Sequence, residues 1–288
     1  MRKLAALFLT MALSAAAFLT PFIALPALAA ADYSNIRVRL SASNDDINLG
    51  VKGTYILKET GATVSSDINI RLVGSELVAT GGSNVLFSGT EFTLLRQSGL
   101  LRQYNRQHGW RHYLGDMNYR AVPDGLGGYK LAVTNTVGME DYLVGVVGYE
   151  MSNTFPLEAL KAQAVTSRSY AACKISPSAS YDIVDTSTDQ VYKGYDSSLT
   201  NVIAAVNATK GQVLANSSGG LVQAYYAASN GGQTETTANA WGKSLPYFQM
   251  KDDPYDLRNP MSPTAVLSLP RVVNAASTLD ASLHNFLK

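Results

Sequence analysis

Between Ile36 and Leu95 apolar and polar residues alternate: Ile36, Val38 and Leu40, then Ile68, Ile70 and Leu72, then Phe92 and Leu94. A repeat of two puts every second side chain on the same face of an extended chain, so these runs predict half-buried strands. Gly50, Gly53, Gly61, Gly74 and the pair Gly81 and Gly82 punctuate them as turns. A polar stretch from Arg96 to Arg111 follows. Then Tyr119 to Val122 and Tyr129 to Val133 flank Pro123, Asp124 and Gly125, a combination that predicts a hairpin.

After Asn135 the period lengthens. Met139, Leu143, Val146 and Val147 recur at helical spacing, and the pattern ends near Gly148. Pro suits a first helical turn, so a second helix is predicted from Thr154 to Pro156 onward, running to about Lys174 before Pro177 stops it. Glu150 falls between the two. A third helix, Leu199 to Lys210, ends at Gly211. Gln212 to Ala215 and Leu221 to Ser229 read as a hairpin through Gly219 and Gly220. The pattern thus predicts an α+β fold: a β-rich N-terminal part, 32–133, followed by a mixed helix/strand part, 134–260. The tail 261–288 matches no pattern.

The second predicted helix is unusual. On a helical wheel Glu158, Lys161, Val165, Arg168 and Ala172 share one side, and Leu160, Gln163, Ala164, Ser167, Tyr170 and Ala171 share the other. Both sides mix small apolar with polar residues, whereas a surface helix has one polar face. Its polar members are therefore paired internally or turned to a cleft. Glu158 with Lys161 reads equally well as an ordinary helix-surface couple, while the cleft is the favoured place for Arg168.

Arg2 and Lys3 precede an apolar run from Leu4 to Leu28 with small residues at its end, the order of a secretory signal, segment 1–31. The run is also long enough for an uncleaved anchor, in which case the protein is membrane-attached. Either form places the remainder outside the cytoplasm. The net charge of +1 and the lack of a basic patch argue against a nucleic-acid partner. With 16 Tyr and only 16% charged residues, the balance suits a weakly charged ligand such as carbohydrate. The single Cys173 cannot form an internal disulfide, so packing alone must hold the fold.

Several familiar chemistries are missing. There is no G-x-S-x-G, no H-E-x-x-H and no metal-spaced run of Cys and His. Gly242, Lys243 and Ser244 imitate the end of a phosphate loop, but Thr237 stands where its first Gly belongs. His108 and His112 are four apart, yet no further ligand lies nearby, so they read as exposed loop histidines.

One dense pattern is present. Glu140, Tyr142, Leu143, Val146, Val147, Glu150, Met151, Pro156, Glu158, Ala159, Leu160, Lys161, Ala162, Gln163, Ala164, Val165, Arg168 and Tyr170 together resemble the core motif of the SpoIID/LytB family. So do Asp189, Gln190, Val191, Tyr192 and Gly194, and later Ser229, Gly231, Gly232, Thr234, Glu235, Trp241, Pro246, Tyr247, Asp253 and Pro254. The resemblance makes 134–260 a catalytic part with an active-site groove. It implies a lytic transglycosylase that cuts peptidoglycan glycan strands between N-acetylmuramic acid and N-acetylglucosamine, preferring strands stripped of stem peptides by a partner amidase. The family's catalytic acid carries over to Glu150. Some relatives hold zinc through His and Cys near the Q-x-Y element; 182–194 has neither, so no metal or other cofactor is expected. Ser152 stands where many relatives carry Pro after E-M, which predicts a more mobile loop behind Glu150.

One carboxylate can serve this chemistry. The N-acetyl carbonyl stabilises the anomeric carbon and the sugar's own 6-hydroxyl closes the 1,6-anhydro ring, so the protein supplies one group that is acid first and base second. Glu150 suits that task if Tyr149, Met151 and Phe155 desolvate it; its plain structural role would be to cap the next helix. Lys161 and Arg168 are candidates to hold charge, Gln163, Gln190, Tyr192, Tyr226 and Ser229 to bond hydroxyls and acetamido groups, Gly231 and Gly232 to admit a ligand close to backbone, and Trp241 to stack on a sugar. Two other functions compete: a noncatalytic wall-binding scaffold that recruits an amidase, and a hydrolytic muramidase needing Asp189, Glu235 or Asp253 as second carboxylate.

Overall fold

The computed structural model describes residues 32–41 and 46–259; the expected leader 1–31 and tail 261–288 lie outside them. The alternating runs form β1 (Asn35–Leu40), β2 (Ile47–Leu57), β3 (Thr63–Val64), β4 (Ile68–Val73), β5 (Glu76–Gly81), β6 (Asn84–Gly89) and β7 (Glu91–Asn105). Ile36, Val38 and Leu40 are all buried, as are Ile68, Ile70, Phe92 and Leu94. β8 (Gly109–Tyr113), β9 (Asp116–Pro123) and β10 (Tyr129–Gly138) follow, and the predicted hairpin is the antiparallel β9–β10 pair.

The stretch from Arg96 to Arg111 departs from expectation: it is not a polar loop but the second half of β7 and most of β8, paired to each other. Alternation continues there with polar residues on the inner face. Gln103 accepts from the Tyr119 hydroxyl at 2.8 Å, and Asn105 donates to Asp185 at 2.7 Å. Both side chains are fully buried, and these bonds are what make that tolerable. His112 accordingly lies on a strand and His108 in the preceding turn, where its Nε2 meets the Asp185 carbonyl.

The helices are α1 (Met139–Glu150), α2 (Leu157–Lys174), α3 (Thr200–Ala208), α4 (Thr237–Trp241) and α5 (Pro254–Arg258). A short β11 (Ile183–Val184) runs parallel to β1. The sheet order is β11-β1-β10-β9-β7-β2-β4-β5-β6, with β3 on β2 and β8 on β7. This is the α+β fold that the pattern predicts. β10 runs through Val133 without a break, and its last residue is the N-cap of α1. One apolar cluster joins Val38, Leu94 and Tyr119 from the sheet to Leu143 of α1, Leu160 of α2 and Val202 of α3.

α1 carries two glycines where it meets the 192–199 segment. A Cβ at Gly145 would lie 2.2 Å from the Gly194 carbonyl oxygen, and one at Gly148 would lie 2.4 Å from Leu199. Only hydrogen fits at these contacts. After α3 the expected two-stranded hairpin shrinks to a single bridge, Ala215 to Leu221, around a turn in which Asn216 accepts from the N–H groups of Ser218 and Gly220. Among the described residues no helix is long and apolar enough to cross a membrane.

Candidate active site

Glu150 is the last residue of α1, where the Met151 N–H closes the final turn on the Val147 carbonyl. It does not cap α2, whose N-cap is Pro156 without side-chain help. The Glu150 side chain reaches the surface, and the Tyr226 hydroxyl donates to its Oε1 at 3.4 Å. Partial burial pushes the Glu150 carboxyl above its ordinary value, and the Tyr226 hydrogen bond pulls partly the other way.

Behind Tyr226 a chain of hydrogen bonds leads into the core. Gln190 donates from Nε2 to the Tyr226 oxygen at 3.0 Å and to the Ser167 carbonyl, and its Oε1 accepts from the Tyr142 hydroxyl at 3.0 Å. Gln190 and Tyr142 are buried. Burial, reinforced by the nearby Glu150 charge, drives the Tyr226 phenol up to about 12. It therefore stays a neutral donor wherever Glu150 titrates. Gln163 adds a donor to Ser167 Oγ one turn along α2. Thus Glu150, Tyr226, Gln190 and Gln163 belong to one bonded assembly, with Tyr142 and Ser167 as members that the motif reading leaves out of the site. Tyr142 could have been flagged by its position, eight residues before Glu150 on the same helix.

The loop after Glu150 is fastened. Ser152 Oγ accepts from the Thr154 N–H, and the Asn153 side-chain oxygen accepts from the N–H groups of Asn201 and Val202 at the start of α3. Asn153 thereby supplies the N-terminal cap that α3 lacks from its own sequence.

Other candidates lie elsewhere. Arg168 lies apart from Glu150: with Glu140, Lys210 and Gly211 it borders a concavity of about 620 Å³ whose walls do not include Glu150. The Arg168 side chain is buried, forms an ion pair with Glu140, and donates to the carbonyls of Gln212 and Val206, so its charge is neutralised inside the helical layer. Tyr192 is a core residue whose hydroxyl donates to Asn135 and whose ring packs on Tyr142 and Tyr113. Lys161 pairs with Glu158 at 2.7 Å, the surface couple of the wheel. Ser229 and Gly231 both donate to Asp256, and Gly232 accepts from the Asp253 N–H, so this turn is bound to α5. Gly232 has φ +96°, and a Cβ there would strike Leu257. Trp241 is 62% exposed and packs against Tyr225 at 4.6 Å between ring centroids, presenting an open aromatic face.

The second carboxylates of a muramidase are committed to other work. Asp189 pairs with Lys174 and accepts from Tyr170 and the Val184 N–H. Glu235 accepts from Thr236 and Asn239, and Asp253 caps α5. Among the described residues no group of three or more His, Cys, Asp and Glu side chains is placed to hold a metal.

The fold and this assembly define an α+β protein in which the partly desolvated Glu150 carboxyl is held by a phenol that is itself anchored in the core. Residues 128–215, which contain Glu150, α1, α2 and Gln190, match the family model for the stage II sporulation protein SpoIID. An uncharacterized protein of Brachyspira hyodysenteriae is 30% identical over 225 residues, 76% of this chain and 58% of that protein. The amidase enhancer of Bacillus subtilis is 42% identical over 114 residues, 40% of this chain and 15% of its own length. Stage II sporulation protein D of Bacillus subtilis is 28% identical over 165 residues, 51% of this chain and 48% of the relative. The matches thus span between about a seventh and three fifths of these relatives.

Proposed function

We propose that the protein is an exported peptidoglycan lytic transglycosylase acting on peptide-stripped strands, with Glu150 as its acid and base. The observation that supports this most directly is a carboxyl at the end of α1 with its pKa raised by burial and a neutral Tyr226 donor against it. Protonated Glu150 gives its proton to the glycosidic oxygen as the C1–O bond breaks. The neighbouring acetamido oxygen bonds to C1. The Glu150 carboxylate then removes the 6-hydroxyl proton, and that oxygen displaces the acetamido group to close the 1,6-anhydro ring. The carboxyl is again protonated, so one group completes the cycle.

Tyr226 contributes by holding Oε1, leaving the other carboxyl oxygen for the sugar. Gln190 and Tyr142 fix the phenol in turn, and such support limits how far the reacting atoms can stray. In this reading Gln163 and the exposed Trp241 are the candidate glycan contacts, while Arg168 and Tyr192 support the fold.

The test is digestion of purified peptide-free strands. Wild type should leave 1,6-anhydro ends, and Glu150→Gln should lower their formation by on the order of 10²- to 10⁴-fold. A second reading follows from the relative named amidase enhancer. A noncatalytic scaffold would bind strands, leave them uncut, recruit a wall amidase and ignore Glu150→Gln.

A further inference from the structure

A concave region opens against α1 at Gly145, Gly148 and Tyr149. It encloses about 440 Å³ and is walled by Trp110, Arg111 and His112 of β8, by Tyr149 of α1, and by Lys193 and Tyr195. Tyr149 is the chain neighbour of Glu150, so the cleft begins one residue from the carboxyl. Gly145 and Gly148 of α1 line the cleft. Gly194, at φ +73°, lies so close to the His112 carbonyl that a Cβ would come within 2.2 Å, and the Tyr195 N–H donates to that same carbonyl at 2.7 Å. The 193–196 strap is thereby pinned between β8 and α1 with its side chains turned to the cleft.

Its walls combine flat aromatic faces with positive charge. Trp110 is 44% exposed and Tyr149 47% exposed. The Lys193 ammonium sits 4.2 Å from the centre of the Tyr149 ring, and the Arg102 guanidinium lies 4.2 Å from that of Trp110. Arg111 donates to the Trp110 carbonyl, but its Nε is buried without a partner. Among the described residues neither Arg111 nor Lys193 forms an ion pair. The acid of the cleft, Asp196, accepts from the hydroxyl and N–H of Ser198, and these bonds, helped by the Arg111 charge, hold its carboxyl below the ordinary value. What the walls leave over is the Arg111 Nε donor, buried without a partner, and the Lys193 ammonium, which has no ion-pair partner among the described residues. Together they call for an anionic acceptor, and the rings beside them call for a sugar face.

We propose that this cleft is a subsite for a carboxylate-bearing sugar, in which Arg111 and Lys193 receive the free lactyl carboxylate of a muramic acid residue while Trp110 and Tyr149 contact its ring. The assignment rests on the glycan reading of Glu150. In an intact strand the lactyl carboxyl is consumed in the amide bond to the stem peptide. The subsite thus distinguishes stripped strands from decorated ones by charge.

The test measures binding, not cleavage, in the Glu150→Gln protein. Its probes are peptide-free glycan strands and the same strands with lactyl carboxyls converted to methyl amides. Adding Lys193→Met or Arg111→Met should weaken binding of the carboxylate strands by about five- to tenfold. The methyl-amide strands should bind the parent more weakly, and the added substitutions should then cost nothing further. Lys193 is a surface side chain, and an unchanged circular dichroism spectrum checks that its variant folds. Equal binding of both strand types by the parent overturns the subsite, as does an equal loss on both strand types in the variants. Carboxylate-dependent binding by a wild-type protein that leaves strands uncut would sink the transglycosylase reading and leave the subsite standing.

Discussion

The Tyr226 hydroxyl stands 3.4 Å from Glu150 Oε1 and is itself held by Gln190. Two opposing influences therefore meet at Glu150: burial, which raises its pKa, and a hydrogen bond, which lowers it. An acid works while protonated, so activity should fall as pH rises through the Glu150 pKa. Tyr226→Phe removes only the lowering influence. The alkaline limb of the pH–rate profile should move to higher pH, with a reduced maximum because Oε1 loses its partner. A limb that stays put, or moves to lower pH, would show that the phenol does not act on Glu150.

Gln190→Leu leaves the Tyr142 hydroxyl buried without an acceptor and frees Tyr226. An unsatisfied buried hydroxyl costs about 1–3 kcal/mol. Urea denaturation should report a loss of that size, and kcat should fall more than the rise in KM. Adding Tyr142→Phe should restore part of the stability, since the stranded hydroxyl is then absent, but not the activity.

Arg168→Met strands Glu140 beside the buried face of α2, and removing one partner of a buried pair costs about 3–5 kcal/mol. Denaturation should show this loss. At a temperature where the variant is folded, KM should match wild type, because the guanidinium meets only protein groups. A raised KM with unchanged stability would return Arg168 to the substrate.

Asp182 gives a separate pH signature. Burial pushes its carboxyl up, but hydrogen bonds from Arg37 and the Ser176 N–H, with the Arg37 charge, outweigh that and hold it below the usual range. A depressed folded value means stability present above the unfolded pKa of about 3.9 and lost as pH falls through the folded one. Asp182→Asn should therefore be less stable than wild type at neutral pH, by about 2 kcal/mol. The gap should close as pH drops below about 4. A gap that persists unchanged into acid would mean the carboxylate charge contributes nothing.

Much of this protein is legible in its sequence, and the failures have physical causes. Alternation at Ile36, Val38 and Leu40 shows because the inner face there is apolar. It disappears at Gln103 and Asn105 because that inner face is polar and satisfied by Tyr119 and Asp185, partners far off in sequence. The wheel of α2 reads correctly as a helix packed on two sides. It cannot show that Arg168 pairs with Glu140, 28 residues away, at a concavity that does not include Glu150. Asn153 looks like a loop residue until α3 comes to rest on it. Glu150 is singled out as the candidate acid by its motif alone, whereas its bonds through Tyr226, Gln190 and Tyr142 depend on three segments meeting in space.

The central claim is that Glu150 cuts glycan strands by closing a 1,6-anhydro ring. Mass spectrometry of the ends left on peptide-free strands tests it directly. The account predicts anhydro ends from wild type and a loss on the order of 10²- to 10⁴-fold in Glu150→Gln. Uncut strands, plain reducing ends, or anhydro ends undiminished in Glu150→Gln would contradict it.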